Sequence, residues 1–223
     1  MDPKVASIDD VAISFANASK HSMLLGAGLS VAESKLPVFA LLFEQCLKSL
    51  VKNEIEADYY KELLMGLMRN QGTTNKILRP EEFFAAVEAE APGSATSLVS
   101  KVFGVGSPGP SHQIVGVLSS QLRYPILTTN FDCLLEAATP DIQFIHLHGS
   151  VRNKNSIRIA VNDVAGYNVR RVRRTALKFV RDFNVYVAGY QGLDSDIFPL
   201  LDEARHVYWL VYAKLTDNPL IIY

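Results

Sequence analysis

The stretch that most constrains this chain runs from Pro125 to Ser150, where an apolar strand, a polar turn, a short helix, a second apolar strand and a second polar turn follow one another. Pro125, Ile126 and Leu127 end abruptly in Thr128, Thr129, Asn130, Phe131 and Asp132, and Leu134, Leu135, Ala137 and Ala138 then have helical spacing. Ile142, Phe144, Ile145 and Leu147 lead into His148, Gly149 and Ser150. A helix of that length returns the chain parallel to its first strand. If the two strands are near neighbours, Asn130 and His148 face one crevice at the carboxyl edge of the sheet, where open α/β sheets bind ligands. The pattern predicts a doubly wound, mostly parallel, Rossmann-like α/β sheet.

The same grammar of strand followed by polar turn recurs on both sides. His21 to Leu25 reads as a strand that runs into Gly26, Ala27, Gly28, Leu29 and Ser30, a glycine turn of the kind that lets a backbone approach a pyrophosphate with free amides pointing at it. The third glycine of the full dinucleotide fingerprint is missing, and Gly-x-Gly alone also fits an ordinary turn. Val185 to Ala188 reads as a strand ending in Gly189, Tyr190, Gln191, Gly192, Leu193 and Asp194. A ribose hydroxyl or a phosphate at that edge explains both the glycines and the acid, whereas a plain tight turn explains the glycines alone. Further strands are expected at Ile157 to Val161, Val207 to Tyr212 and Leu220 to Tyr223, the last as a docked edge strand or the start of a longer parent protein.

Helices fill the intervals. Ser7 and Asp10 stand in capping-box positions ahead of Val11, Ala12, Phe15 and Ala18. Val38 through Val51 has helical periodicity after Leu36-Pro37. From about 53 to 105 the pattern is helical only, with stripes at Tyr59, Tyr60, Leu63, Leu64 and Leu67, at Phe83, Phe84, Ala86 and Val87, and at Ser97, Leu98, Val102 and Phe103. This reads as a helical insertion within one domain spanning residues 1–223, able to shield the carboxyl edge from water; each stripe taken singly is core packing. Ser107 to Pro110 forms a linker, and His112, Val115, Leu118 and Leu122 follow as a helix. Val169, Val172, Ala176, Phe179, Val180 and Phe183 form one helical face, with Arg170, Arg171, Arg173, Arg174, Lys178 and Arg181 on the other, a solvated face or a contact surface for a nucleic acid, an acidic partner or another subunit.

Composition closes off several classes. A hydrophobic content of 48% argues against disorder, and a formal charge of −1 gives no global attraction to nucleic acid or an anionic membrane. No run approaches the roughly 20 apolar residues of a membrane span. The expected setting is cytoplasmic. Two distant cysteines, Cys46 and Cys133, can build neither a disulfide scaffold nor a four-cysteine zinc site, and no metal is expected.

Taken together, Gly26-Ala27-Gly28-Leu29-Ser30, Thr128-Thr129-Asn130-Phe131-Asp132, His148-Gly149-Ser150 and the segment from Gly189 to Asp196 resemble the motifs of the sirtuin-like NAD+ hydrolase domains of bacterial anti-phage defence proteins, in the same order and over most of the chain. The resemblance implies that Gly26, Ala27, Gly28 and Ser30 lie against the dinucleotide phosphates. It implies that Asn130, in the segment begun by Thr128, and His148 are catalytic, that Asp132 contacts the leaving carboxamide, and that Thr129, Gly189, Tyr190 and Asp194 border the nucleotide. Classical protein-deacylating sirtuins carry a four-cysteine zinc module and an Asp-Phe-Arg segment after the glycine loop. Here that place reads Leu36-Pro37-Val38-Phe39-Ala40, which removes support for acyl-lysine chemistry.

The implied activity is cleavage of the nicotinamide–ribose bond of NAD+, giving nicotinamide and ADP-ribose or a cyclised form, in a homo-oligomer or beside a fused or associated sensor domain. The residue types suit it. A carboxamide such as Asn130 can hold a ribose hydroxyl or water without carrying charge, and a histidine of ordinary pKa near 6.5 can accept a proton at neutral pH. Each also has a structural alternative: Asn130 capping a helix, Asp132 stabilising a first turn, His148 a satisfied core histidine. His146, two residues from His148, stands as the alternative base. A catalytically silent NAD- or ADP-ribose-binding sensor or assembly module keeps the fold without the chemistry. A dehydrogenase is disfavoured because no acidic residue on a second strand follows the glycine loop by about 20 residues.

Overall fold

A computed structural model describes residues 4–37, 80–159, 167–190, 196–210 and 220–222, with single positions at 42, 53, 55, 56, 58, 59, 62, 192 and 194. The expected helix at Val38 to Val51, and most of the stripe from Tyr59 to Leu67, lie outside the described residues. The described elements are β1 (Lys4–Ala6), α1 (Ile8–Asn17), β2 (His21–Leu25), α2 (Gly28–Ser34), α3 (Pro80–Glu90), α4 (Ser94–Phe103), α5 (Pro110–Leu122), β3 (Ile126–Thr128), α6 (Leu134–Ala138), β4 (Phe144–His146), α7 (Tyr167–Leu177), β5 (Asn184–Ala188), α8 (Phe198–Leu201), β6 (His206–Leu210) and β7 (Leu220–Ile222).

The strands form one seven-stranded sheet in the order β1-β7-β6-β5-β2-β3-β4. From β6 to β4 every pairing is parallel, while β7 is antiparallel to both β6 and β1. After β2 the chain builds outward through β3 and β4, then crosses to the other side of β2 and lays down β5 and β6. The order therefore reverses at β2. The loops after β2, β3 and β5 therefore share the carboxyl edge at this reversal, the place where such sheets take ligands.

Alternation along β2 shows why the sheet is covered on both faces. Leu24 packs into a cluster with Leu127, Ile145, Val185, Val187, Ala176 and Leu200, whereas Met23 and Leu25 pack into another with Ile126, Val115 and Leu135. Successive side chains of a strand point to opposite faces, so α7 and α8 cover one side, α5 and α6 the other. A third cluster joins Phe83, Phe84, Val99 and Phe103 of α3 and α4 to Phe131, Ile157 and Ile159. Among the described residues the interval between β2 and β3 holds no strand.

Three local expectations are corrected. Ile157–Ile159 is buried but is not a strand: the Arg158 amide donates to His148 O, and the run packs under α4 instead of pairing in the sheet. The basic helix stops at Leu177, and Phe179 to Phe183 turns back through Asp182 at φ +62°. At the other end, β7 is not an edge strand; it lies between β6 and β1, a three-residue strand too short to show in the pattern.

Candidate functional site

The polar turn after β3 is held in place from three directions. Thr128, fully buried, donates from Oγ1 to Leu25 O of β2 (3.0 Å) and accepts the Asn130 amide (3.1 Å). Phe131 packs against Phe103 of α4, the rings tilted by 47° with centroids 5.6 Å apart. Asp132 turns back into the protein, where its Oδ1 accepts the Leu134 amide of α6 (3.1 Å). The helix-stabilising role weighed for Asp132 is therefore real, but it uses one oxygen only.

The other oxygen joins a buried network centred on Ser30, at the start of α2. Ser30 Oγ lies 3.1 Å from Asp132 Oδ2, 3.2 Å from Asn130 Nδ2 and 3.1 Å from His112 Nε2. The Gly109 amide donates to His112 Nδ1 (3.1 Å), so the ring proton sits on Nε2 and is donated to Ser30. Ser30 accepts from His112 and from Asn130 and gives its own proton to the Asp132 carboxylate, which uses its full capacity. Burial holds the His112 pKa below its ordinary value, against the opposing charges of Asp132 and Glu33, in keeping with a neutral ring. Burial raises the Asp132 pKa, opposed by the Leu134 amide, Ser30 and the histidines.

This wiring fixes the orientation of the Asn130 carboxamide. Because the Ser30 proton is committed to Asp132, only the Asn130 amino group can face Ser30. Asn130 Oδ1 is then left buried without a hydrogen-bond partner. An unmet buried acceptor costs about 1–3 kcal/mol, a cost that a ligand hydroxyl would offset.

On the neighbouring strand β4, His146 and His148 part ways. His146 Nδ1 donates to Asn130 O (2.8 Å) and Nε2 meets Glu136 of α6, so both ring nitrogens are already engaged within the protein. His148, beyond the strand end, places Nε2 3.1 Å from Asp196 Oδ2. Burial pushes the Asp196 pKa up, but the hydrogen bond and charge of His148, with a contribution from Arg173, bring it below the usual value. Gly149, at φ +85°, carries the chain away where a Cβ would strike Ser156 O.

The two glycine turns meet each other. A Cβ on Gly26 would lie 2.5 Å from Gly189 O, and one on Gly28 would lie 2.8 Å from Gly189 Cα. The Gly28 amide donates to Gly189 O (2.8 Å), and the amides of Gly26, Leu29 and Ser30 bond to Ala188, Gly26 and Ala27. The expected free amides are thus taken up internally at these positions, and the glycines serve close packing of the turns after β2 and β5. Tyr190 is buried, stacked on Trp209 at 5.7 Å, and its phenol pKa is raised far above the ordinary range by burial and by Asp194. Gly189 is exposed at the rim, and Thr129 and Asp194 are half-buried.

The structure thus brings Ser30, Asn130 and Asp132 into one network and sets His148 on the adjacent strand end; it packs Tyr190 into the core. Sequence reasoning missed His112 and Asp196. One histidine in a helix carries no periodic signal, although its position just after Gly109-Pro110 marks a helix start, and Asp196 was visible only as the last acid of a glycine turn.

No model of a known protein family matches this chain. Solved structures do share its architecture. A Sir2 homolog in complex with NAD superposes with a TM-score of 0.60 at 17% identity, covering 94% of this chain and 84% of that one. A mutant Sir2 homologue bound to ADP-ribose gives 0.60 at 16% identity, over 91% and 84%. Sir2 in complex with an inhibitor, 2'-O-acetyl-ADP-ribose and a deacetylated p53 peptide gives 0.57 at 14% identity, over 91% and 85%.

Proposed function

From a sirtuin-like fold and the network at its carboxyl edge, we propose that this chain is an NAD+ glycohydrolase, releasing nicotinamide together with ADP-ribose or cyclic ADP-ribose. The observation that carries the reading is Asn130: a buried carboxamide whose oxygen lacks a partner while its nitrogen is clamped by Ser30. Asn130 Oδ1 accepts a ribose hydroxyl or the attacking water and so fixes the position of the reacting carbon. The bond between nicotinamide nitrogen and ribose carbon breaks with its electron pair passing to the ring, which leaves neutral. Positive charge develops on the ribose. Water, or a nucleophile of the same dinucleotide in cyclisation, adds to that carbon, and His148 takes the proton released.

Asp196 orients the His148 ring and stabilises it once protonated. Gly26, Ala27, Gly28 and Ser30 shape the floor for the diphosphate, with Thr129, Gly189, Tyr190 and Asp194 along the rim or beneath it, and Asp132 is assigned to the leaving carboxamide. We assign the reaction to one domain over residues 1–223 with a helical insertion at about 53–105, acting in the cytoplasm as an NAD-depleting defence effector. Assembly, as a homo-oligomer or with a sensor, switches it on. Among the described residues no helix is long and apolar enough to cross a membrane.

Incubating the purified chain with NAD+ over a range of chain concentrations, and measuring free nicotinamide, tests the proposal. The expected result is nicotinamide release that is lost in Asn130→Ala. NAD+ bound by calorimetry with no nicotinamide released at any concentration would overturn it in favour of a silent binding module.

A further inference from the structure

Three side chains between Cys133 and His146 take no part in that chemistry. Cys133 precedes α6, Glu136 stands one turn along it, and His146 ends β4, so helix and strand bring a thiol, a carboxylate and an imidazole together. Their donor atoms all lie within 4.8 Å of one another. The His146 and Glu136 side chains are each only 12% exposed. His146 is also turned the right way round. A carbonyl can only accept, so Nδ1, 2.8 Å from Asn130 O, carries a proton, and Nε2 is the nitrogen aimed at the cluster. Metal-ligating histidines are held in this manner, one nitrogen bonded outward to a carbonyl or carboxylate and the other free to bind the ion.

We propose that Cys133 Sγ, the Glu136 carboxylate and His146 Nε2 form a three-donor site for a zinc-class divalent cation. The donor set selects that class: thiolate and imidazole suit zinc and its neighbours, whereas magnesium and calcium take oxygen ligands. Tetrahedral bonds of ~2.3 Å to sulfur and ~2.0 Å to nitrogen set donor separations of about 3.4–3.6 Å. An ion therefore widens the present His146–Glu136 contact, replacing the proton shared there, and draws the thiolate inward. A cleft of about 430 Å³ between α4 and the Val151–Arg152 turn reaches Cys133 and gives the ion a route from solvent and room for water as a fourth donor. Thiolate and carboxylate together neutralise the ion, which suits a cleft whose rim carries Lys101 and Arg152. Bound there, the metal ties α6 to β4 behind Asn130, whose carbonyl His146 already holds.

The test uses the full chain, reduced, stripped with a chelator and titrated with Co2+ as a spectroscopic stand-in. One equivalent should give a thiolate-to-cobalt charge-transfer band together with the intense visible bands of tetrahedral cobalt. Cys133→Ser should abolish the charge-transfer band, Cys46→Ser should leave it unchanged, and His146→Gln or Glu136→Gln should weaken binding at least about tenfold while circular dichroism stays native. A wild-type chain with no charge-transfer band at stoichiometric cobalt, or a band that follows Cys46, would refute the site. None of these readouts depends on NAD+ cleavage, so the site and the proposed activity stand or fall separately.

Discussion

The Ser30 hydroxyl accepts two hydrogen bonds and donates one, and each partner is buried, so its removal strands three groups at once. Ser30→Ala should lower stability by a few kcal/mol, at about 1–3 kcal/mol per buried group left unmet after partial relaxation, read from the urea midpoint. It should also lower turnover, because Asn130 loses the contact that fixes its carboxamide. Asn130→Ala and His148→Ala remove groups assigned to the transition state rather than to ground-state binding. Both should fold and lose far less NAD+ affinity than turnover, with nicotinamide release down by about 10² to 10⁴ in single-turnover measurements. The double variant should be little worse than either single, since residues acting on one step are not additive. If His148→Ala released nicotinamide normally, the base would have to be sought elsewhere, and His146 is a poor candidate because Asn130 O and Glu136 engage both of its nitrogens. The residue types at 30, 130, 132 and 148 were legible because each follows an apolar strand. The hydroxyl hub was not, since nothing in the spacing of Ser30, His112, Asn130 and Asp132 says that four separate turns converge.

At the scale of elements, the glycine turn has a packing role beside any role toward a phosphate. The turns after β2 and β5 touch backbone to backbone, so Gly28→Val places a branched side chain where Gly189 Cα already sits at 2.8 Å from a Cβ. That variant should lose about 1–3 kcal/mol of stability from overpacking before NAD+ affinity is considered, so binding must be judged against its thermal unfolding curve. Turns packed against each other in this way look in sequence like any Gly-x-Gly. Ile157–Ile159 misleads, being apolar because α4 covers it and not because it pairs in the sheet. The contact between α6 and β4 makes a separate prediction. Burial alone would lower the His146 pKa, but the hydrogen bond and charge of Glu136 outweigh it and hold the imidazole above 6.5. Burial likewise opposes ionisation of Glu136, and His146 outweighs that and holds its carboxyl below 4.5. A raised histidine stabilises the fold below 6.5 and loses that contribution as pH climbs through the raised value; a depressed glutamate contributes above 4.5 and fades as pH falls through the lowered one. In chelator, the urea-midpoint gap between wild type and Glu136→Gln should therefore be widest between those two values and shrink on the alkaline side. A gap that stayed constant into alkaline solution would show that the pair is not what joins helix to strand.

At the scale of the whole molecule, parallel strands with helices on both faces were legible from strand and helix alternating along the chain, but the strand order was not, because no local pattern records which side of β2 the chain returns to. That order has an electrostatic consequence. Crossing from β4 to β5 lays α7 beside the site, and Arg170, Arg171, Arg173 and Arg174 stand exposed on it although the chain as a whole carries a charge of only −1. Arg173 is near enough to Asp196 for its charge to help lower that carboxyl's pKa, so the basic face and the His148–Asp196 pair share one local field. A partner that covers this face with acidic groups offsets the Arg173 charge, which strengthens the hold of the Asp196 carboxylate on protonated His148 and favours proton uptake there. On the proposed function, such a partner would couple assembly to turnover through charge alone, without a moving part. Reversing all four arginines to glutamate should cost no more than about 2 kcal/mol of urea stability, at about 0.5 kcal/mol per exposed position, and should reduce both the assembled fraction in sedimentation velocity and the rise of nicotinamide release with chain concentration. The effect should weaken in wild type as salt is raised, because exposed charges are screened over about 10 Å at 0.1 M. A reversed variant that assembles and turns over NAD+ like wild type would show that this helix is a solvated face and that the contact surface lies elsewhere.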